Sequence, residues 1–207
     1  MKCSTRGNFG HRQVNKTVNE ILKQYINRYV QLSAEERELF SQFLRRQEFD
    51  KKALLLQEGQ VCRHQYFLLE GLVRTYYLDS NGNERITQFG KEHWWVTDME
   101  SFIHESPARV SIQALEKTSA LLIAKDQLEK AYRAVPKVER LFRKIAERWL
   151  IAQQRHSRFY MKASSKDRYD GLVAAIPNFV QRVPQYMIAS YLDITPEYLS
   201  ELRKSAR

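Results

Sequence analysis

At 207 residues the chain is long enough to bury one substantial core or two small ones, with the balance toward two domains. Its 43% hydrophobic content fits a folded protein, and a formal charge of +10 points to polyanionic partners: DNA, RNA or an acidic membrane surface. Two cysteines, Cys3 and Cys62, exclude a disulfide scaffold and the four thiolates of an iron–sulfur sensor, and they lack the local spacing of a zinc site. No run approaches a membrane span and no signal-peptide core opens the chain, so a cytoplasmic location is the default expectation and a membrane is not expected as partner.

Residues 1–17 read as a flexible polar leader. Val18, Ile21, Leu22, Tyr25, Ile26 and Tyr29 then recur at helical spacing, and Ser33-Ala-Glu-Glu is a capping box opening a second helix with Leu39, Phe40, Phe43 and Leu44. From Phe49 to Ile123 the texture changes to short strand-like runs: 53–56, 66–69, 72–78, 85–89, 108–115 and 119–123. The run Asp79-Ser80-Asn81-Gly82 is a strong hairpin signal, and the stretch from Trp94 to Ser106 is less regular. Short strands with turns at steady intervals predict a sandwich or jelly roll.

Lys125 to Tyr132 is a short helix, and Pro136 opens a long one. Along it Val138, Phe142, Ile145, Trp149, Ala152, His156 and Phe159 alternate in steps of four and three, a heptad seam suited to a second copy of the chain. The bland alternative is a long helix lying on its own barrel. Ser164-Ser165-Lys166-Asp167 restarts helix, and Tyr169, Leu172, Val173 and Ile176 carry it to Pro177.

The last stretch, Gln185 to Lys204, reads as two short helices around a tight turn. Met187, Ile188, Ala189 and Leu192 form the apolar side of the first, and Asp193-Ile194-Thr195 interrupts the period. Thr195 is a natural N-cap with Pro196 at the first helical position, and Leu199 and Leu202 point inward. Glu197, Tyr198, Ser200, Glu201, Arg203 and Lys204 remain for solvent or nucleic acid. This is the size and pattern of a helix-turn-helix, which sets its second helix in the major groove. An ordinary helical hairpin has the same apolar pattern.

The order of parts resembles the CRP/FNR family of bacterial transcription regulators, from roughly Ile21 onward. The most specific segments are Arg182-Val183-Pro184-Gln185, Ile188 to Leu192 and Ile194 to Glu197, with Tyr66 to Gly71 and the 79–83 hairpin in the roll. The resemblance implies an α+β fold: a cyclic-nucleotide-binding-like double-stranded β-helix (jelly roll) over 18–135 with flanking helices, a dimerisation helix over 136–161 and a helix-turn-helix domain over 162–207. It implies a homodimer that reads a near-palindromic site in double-stranded DNA, with RNA polymerase and a small-molecule effector as further partners.

DNA contacts are expected from Gln185, Thr195, Glu197, Tyr198, Ser200, Glu201, Arg203 and Lys204. Glu197 falls where the family places a carboxylate able to accept from a cytosine amine. Three departures stand out. Glu201 occupies a position where many relatives have arginine, Asp193 replaces a turn glycine, and no β-hairpin wing follows the last helix.

The phosphate cassette of this fold, a Gly-Glu pair followed by Arg-Ser, is degenerate here. The first part reads Trp94-Trp95-Val96-Thr97-Asp98-Met99, and Arg109 in Ser106-Pro107-Ala108-Arg109 is one position off, which in a strand points to the opposite face. cAMP binding is therefore not expected. Candidate effector-pocket residues are Arg74, Arg85, Trp94, Trp95, Asp98 and Arg109, with core packing as the alternative for the tryptophans. No motif calls for a cofactor: His64, His93 and His104 have no haem signature, and no metal site is expected. No phosphate loop, nucleophile elbow or HExxH argues for an enzyme. The competing reading is a dimeric roll that uses its terminal helices for protein contact, having lost DNA reading.

Overall fold

The computed structural model describes residues 16–176 and 178–204. The leader expected over 1–17 lies outside this range except for its last two positions, which open α1 (Lys16–Ile26). Helix α2 (Ala34–Ser41) starts from the anticipated capping box. Ser33 Oγ accepts from the Glu36 amide at 3.1 Å, and a Glu36 carboxylate oxygen accepts from the Ser33 amide at 2.7 Å. Two of the orphan donors at the helix start are thereby satisfied.

Eight strands follow: β1 (Arg45–Phe49), β2 (Leu54–Leu56), β3 (His64–Glu70), β4 (Val73–Leu78), β5 (Glu84–Gly90), β6 (Trp95–Val96), β7 (Ser111–Ala114) and β8 (Thr118–Ala124). They form two antiparallel four-stranded sheets, in the orders β1-β8-β3-β6 and β2-β7-β4-β5. The strands shuttle between the two sheets, as a jelly roll requires. Phe67, Leu68, Ile112, Leu121 and Ile123 are fully buried in its core. On the 79–83 turn, one Asp79 carboxylate oxygen accepts from the Asn81 and Asn83 amides at 2.9 Å each. Gly82 adopts φ 77°, which glycine takes without a Cβ clash. At the β3–β4 turn Gly71 has φ 98°, and a Cβ there would sit 2.4 Å from Thr118 Oγ1 and 2.8 Å from Thr118 Cα.

Two elements differ from the sequence expectation. β1 is a strand although Arg45 to Glu48 are all polar, because it lies at a sheet edge and only Phe49 is buried. The irregular stretch before Ser106 contains β6 and α3 (Met99–His104), a helix whose N-cap is Asp98.

Helix α4 (Lys125–Ala134) leads to Val135 and then α5 (Pro136–Lys162), with proline at the first helical position. The first half of the α5 apolar face is covered by the chain's own roll: Val138, Leu141 and Phe142 are buried, and the Phe142 ring lies 5.1 Å from Trp95. Farther along, Trp149 is 53% exposed and Phe159 43%. At Ser164 a second capping box, with Asp167 as its carboxylate, starts α6 (Ser165–Ala175). Then come α7 (Phe179–Arg182), α8 (Gln185–Leu192) and α9 (Pro196–Lys204).

These last helices do not bury their apolar sides only against one another. Leu72, Ile86, Phe89 and Leu115 of the roll share one core with Tyr169, Ile176, Phe179, Val183, Met187, Ile188, Leu192 and Leu199. Phe89 meets Phe179 edge-on at 5.0 Å. Ser190 of α8 lies along β5, its hydroxyl donating to the Glu84 carbonyl at 2.9 Å and accepting from the Ile86 amide at 3.3 Å. A helical unit of this size has little surface to bury alone, and the sheet supplies the rest.

Candidate nucleic-acid interface

Helix α8 is held by its apolar residues, with Ile188, Ala189 and Leu192 at or near zero exposure. Asp193 ends it in the left-handed conformation at φ 53°, its amide donating to the Ala189 and Ser190 carbonyls. A non-glycine residue pays for this backbone, though Asp tolerates it better than most. Thr195 Oγ1 then accepts from the Tyr198 amide at 3.2 Å, the N-cap bond anticipated for α9. Leu199 and Leu202 are buried.

That anchoring turns the other face of α9 outward. Glu197, Tyr198, Glu201 and Lys204 are exposed, while Ser200 and Arg203 are half-buried. Ser200 Oγ donates back to the Pro196 carbonyl at 3.0 Å, so its acceptor lone pairs remain available to a base or phosphate. Gln185 and Thr195 are exposed at the starts of α8 and α9. The eight residues anticipated as DNA contacts thus lie at the accessible starts of the two helices and along the outer side of the second. Glu197 and Glu201 are one turn apart, making the first half of this face acidic, with Arg203 and Lys204 at its far end.

Above this face the unit is pinned to the roll by charged side chains. Arg182 donates to Glu92 Oε1 at 2.5 Å and to Glu116 Oε1 at 2.6 Å, with longer bonds to the second oxygen of each. Burial alone would raise the Glu92 carboxyl, but the hydrogen bond and charge of Arg182 hold it below its ordinary value. Arg85 reaches Asp193 at 3.4 Å, and Lys91 donates to the Ala175 carbonyl at 2.5 Å. Tyr191 hydrogen-bonds His156 Nε2 at 3.2 Å, and burial pushes its phenol up to about 12. Arg182 stands in the Arg182-Val183-Pro184-Gln185 motif, and nothing in that motif signals carboxylate partners 66 and 90 positions away.

The six candidate effector residues do not share a cavity. Arg74 is 4% exposed, bonded to both Glu84 carboxylate oxygens and to Gln113, with its guanidinium 4.2 Å from the Tyr76 ring centre. Arg85 sits on the hairpin and pairs with Asp79 at 3.0 Å. Trp94 is 39% exposed, and Trp95 packs between Phe67 and Phe142. Asp98 accepts from the Ser101 amide at 3.1 Å and is committed to capping α3. Ala108 is buried and Arg109 exposed, so the one-residue slip puts a methyl group inside and the cation in solvent. Arg74 does line a cleft of ≈ 610 Å³ between the roll and α7–α8, together with Lys51, Lys52, Gln113 and Arg182.

The seam residues divide as well. Val138 and Phe142 are buried in the chain's own core and Ile145 is half-buried, while Trp149, Ala152, His156 and Phe159 are exposed. Among the described residues no group of three His, Cys, Asp or Glu could hold a metal ion, and no helix is long and apolar enough to cross a membrane.

A closed roll, a long following helix and a last helix with an open polar face define a cyclic-nucleotide-binding-like fold with a C-terminal helical unit. Residues 46–134 match the cyclic nucleotide-binding domain family. Among solved structures, the fold is similar to FixK2 from Bradyrhizobium japonicum, at 20% identity over 78% of this chain and 83% of that one, with a TM-score of 0.63. The c-di-GMP responsive global regulator CLP of Xanthomonas campestris matches at 14% identity over 84% and 91%, with a TM-score of 0.63. A CooA mutant from Carboxydothermus hydrogenoformans matches at 18% over 88% and 83%, with a TM-score of 0.62. At these identities the likeness is one of fold. No curated protein matches.

Proposed function

We propose that the chain is a sequence-specific, DNA-binding transcription regulator of the CRP/FNR type, acting as a homodimer and not responsive to cAMP. The observation that carries this reading is α9: a capped helix, anchored by Leu199 and Leu202, whose polar side stays open. The similarity to a protein described as a global regulator supports it. In this reading 18–135 is the sensor roll, 136–161 the dimerisation helix and 162–207 the reading domain. The exposed Trp149 and Phe159 are the apolar surface a second copy would cover.

Glu197 and Glu201 accept from cytosine amines and do not contact guanine, so the preferred half-site differs from one read by an arginine at the second position. cAMP is disfavoured because a buried cyclic phosphate needs a cation, and the side chain facing inward at that point is Ala108.

Selection of bound duplexes from a random pool tests the proposal. A palindrome should emerge with half-sites about one helical turn apart, ~34–36 Å. Glu197→Ala should relax selectivity at one base pair per half-site by about 1–3 kcal/mol. Failure of the purified dimer to enrich any sequence sinks the reading.

A further inference from the structure

The positive charge of the chain is not where the reading helix is. Residues 163–204 hold five lysines and arginines against five carboxylates, and α9 holds two of each. α5 holds eight against two. At about 100° per residue, Arg140, Lys144, Arg148, Arg155, Arg158 and Lys162 fall within an arc of about 80°, a stripe about 33 Å long. The apolar seam lies about a third of a turn away, so both surfaces are usable at once.

Five of the six cations are exposed and Lys144 is half-buried. Arg140, Arg155, Arg158 and Lys162 have no hydrogen bond, ion pair or ring contact among the described residues. Lys144 Nζ donates to the Tyr29 carbonyl at 2.8 Å and Arg148 lies 4.9 Å from the Tyr29 ring centre, contacts that leave both charges unneutralised. Elsewhere on the same helix Arg143 pairs with Glu147 one turn on. Like charges three and four residues apart weaken a helix. Arg140–Lys144, Lys144–Arg148, Arg155–Arg158 and Arg158–Lys162 therefore repel until a polyanion lies along them. Near its start the stripe borders a basin of ≈ 330 Å³, where Asn27 and Gln31 stand beside Lys137, Arg140 and Lys144. Lys137 is paired with Glu36 at 2.9 Å, which leaves the amide donors beside two unneutralised cations, Arg140 and Lys144, a setting that suits a phosphate.

We propose that this stripe binds the phosphate backbone of duplex DNA without regard to sequence, as a surface separate from α9. The choice of duplex rests on the DNA-binding reading above, and the stripe supplies what that reading lacks. Non-specific affinity comes from cations displacing condensed counterions, and a charge-neutral reading unit has no surplus of them. The shape also fits a linear polyanion better than a lipid surface. Trp149 and Phe159 belong to the seam, and the other exposed apolar residues near the arc, Leu150, Ile151 and Met161, are single side chains spread along the helix and not the continuous apolar face that an interfacial helix lays into lipid.

The test is fluorescence anisotropy of the full chain with a 20-base-pair duplex lacking any selected site, titrated across salt. The variant R140Q/R155Q/R158Q removes three cations that have no internal partner among the described residues, and circular dichroism and sedimentation check its fold and assembly. Its slope of log affinity against log salt should be shallower by about 2.7, so between 0.1 and 0.3 M salt wild type loses about 20-fold more affinity than the variant. Lys130→Gln, on α4 outside the stripe and already paired with Asp126, should leave that slope unchanged. An unaltered slope in the triple variant overturns the proposal even if selection has enriched a palindrome. A shallower slope upholds it even if selection enriches nothing, which separates its failure from that of the regulator reading. Stripe-dependent flotation with phosphatidylserine vesicles, or stripe-dependent binding of single-stranded RNA, without duplex binding also overturns it.

Discussion

Replacing Arg182 by glutamine probes the attachment of the C-terminal helices to the roll. The guanidinium is 17% exposed, and its partners Glu92 and Glu116 are 32% and 35% exposed. A charge-assisted hydrogen bond is worth about 1.5–3 kcal/mol when well buried. Solvent screening at this exposure reduces the two pairs together to about 2–3 kcal/mol. Glutamine also leaves two carboxylates facing the same gap. For a chain of this length each kcal/mol shifts the midpoint by about 2–4 °C, so Arg182→Gln should melt about 5–10 °C lower. Proteolysis at the α5–α6 junction, around Ala163, should accelerate because the helical unit leaves the sheet more often.

A double-mutant cycle with Glu92→Gln isolates the pair, with an expected coupling of about 1 kcal/mol. The attachment also has a pH signature. The folded Glu92 carboxyl lies below its ordinary value of 4.5, so its stabilisation is present above about that pH and is lost as pH falls through the depressed folded value. That acid limb should shrink in Arg182→Gln. A variant that melts within ~1 °C of wild type with an unchanged acid limb would refute the assignment of Arg182 as the main polar tie.

Gly71→Ala should cost about 2–4 kcal/mol in urea unfolding, since the added methyl meets the Thr118 backbone as well as its side chain at a left-handed position; a loss under ~1 kcal/mol contradicts this. Trp149→Glu should shift sedimentation from dimer to monomer with little change in melting temperature, because the indole is already 53% exposed in one copy; an unchanged dimer moves the interface elsewhere. Asp193→Gly should stabilise by about 0.5–1 kcal/mol, as relief of the φ 53° backbone outweighs an Arg85 contact whose Asp193 side chain is 87% exposed. A midpoint moving the other way means that the Arg85 contact outweighs the strain.

Local chemistry was legible in the sequence, and long-range placement was not. Ser33 with Glu36, Ser164 with Asp167, Asp79 to Gly82 and Thr195-Pro196 each announce a helix start or a turn, because the partners lie within four residues. β1 was missed because an edge strand with one buried side chain carries no alternation. Asp98 drew attention as a ligand-binding carboxylate when its nearer use is to cap α3. The Arg182 tie joins residues 66 and 90 positions apart, and no periodicity signals such a meeting. The cations of α5 do recur at helical spacing. The +10 total gives the sign of the partner and not the element that carries the charge.

The Ser190 hydroxyl has one more implication. β5 closes one margin of its sheet, and a margin strand leaves a row of amides and carbonyls that another polypeptide can pair with. By occupying the Glu84 carbonyl and the Ile86 amide, α8 acts as a guard rail along that row. Freed of its terminal helices, the roll would offer a sticky border to its neighbours, so the same few helices also shield it from edge-to-edge pairing.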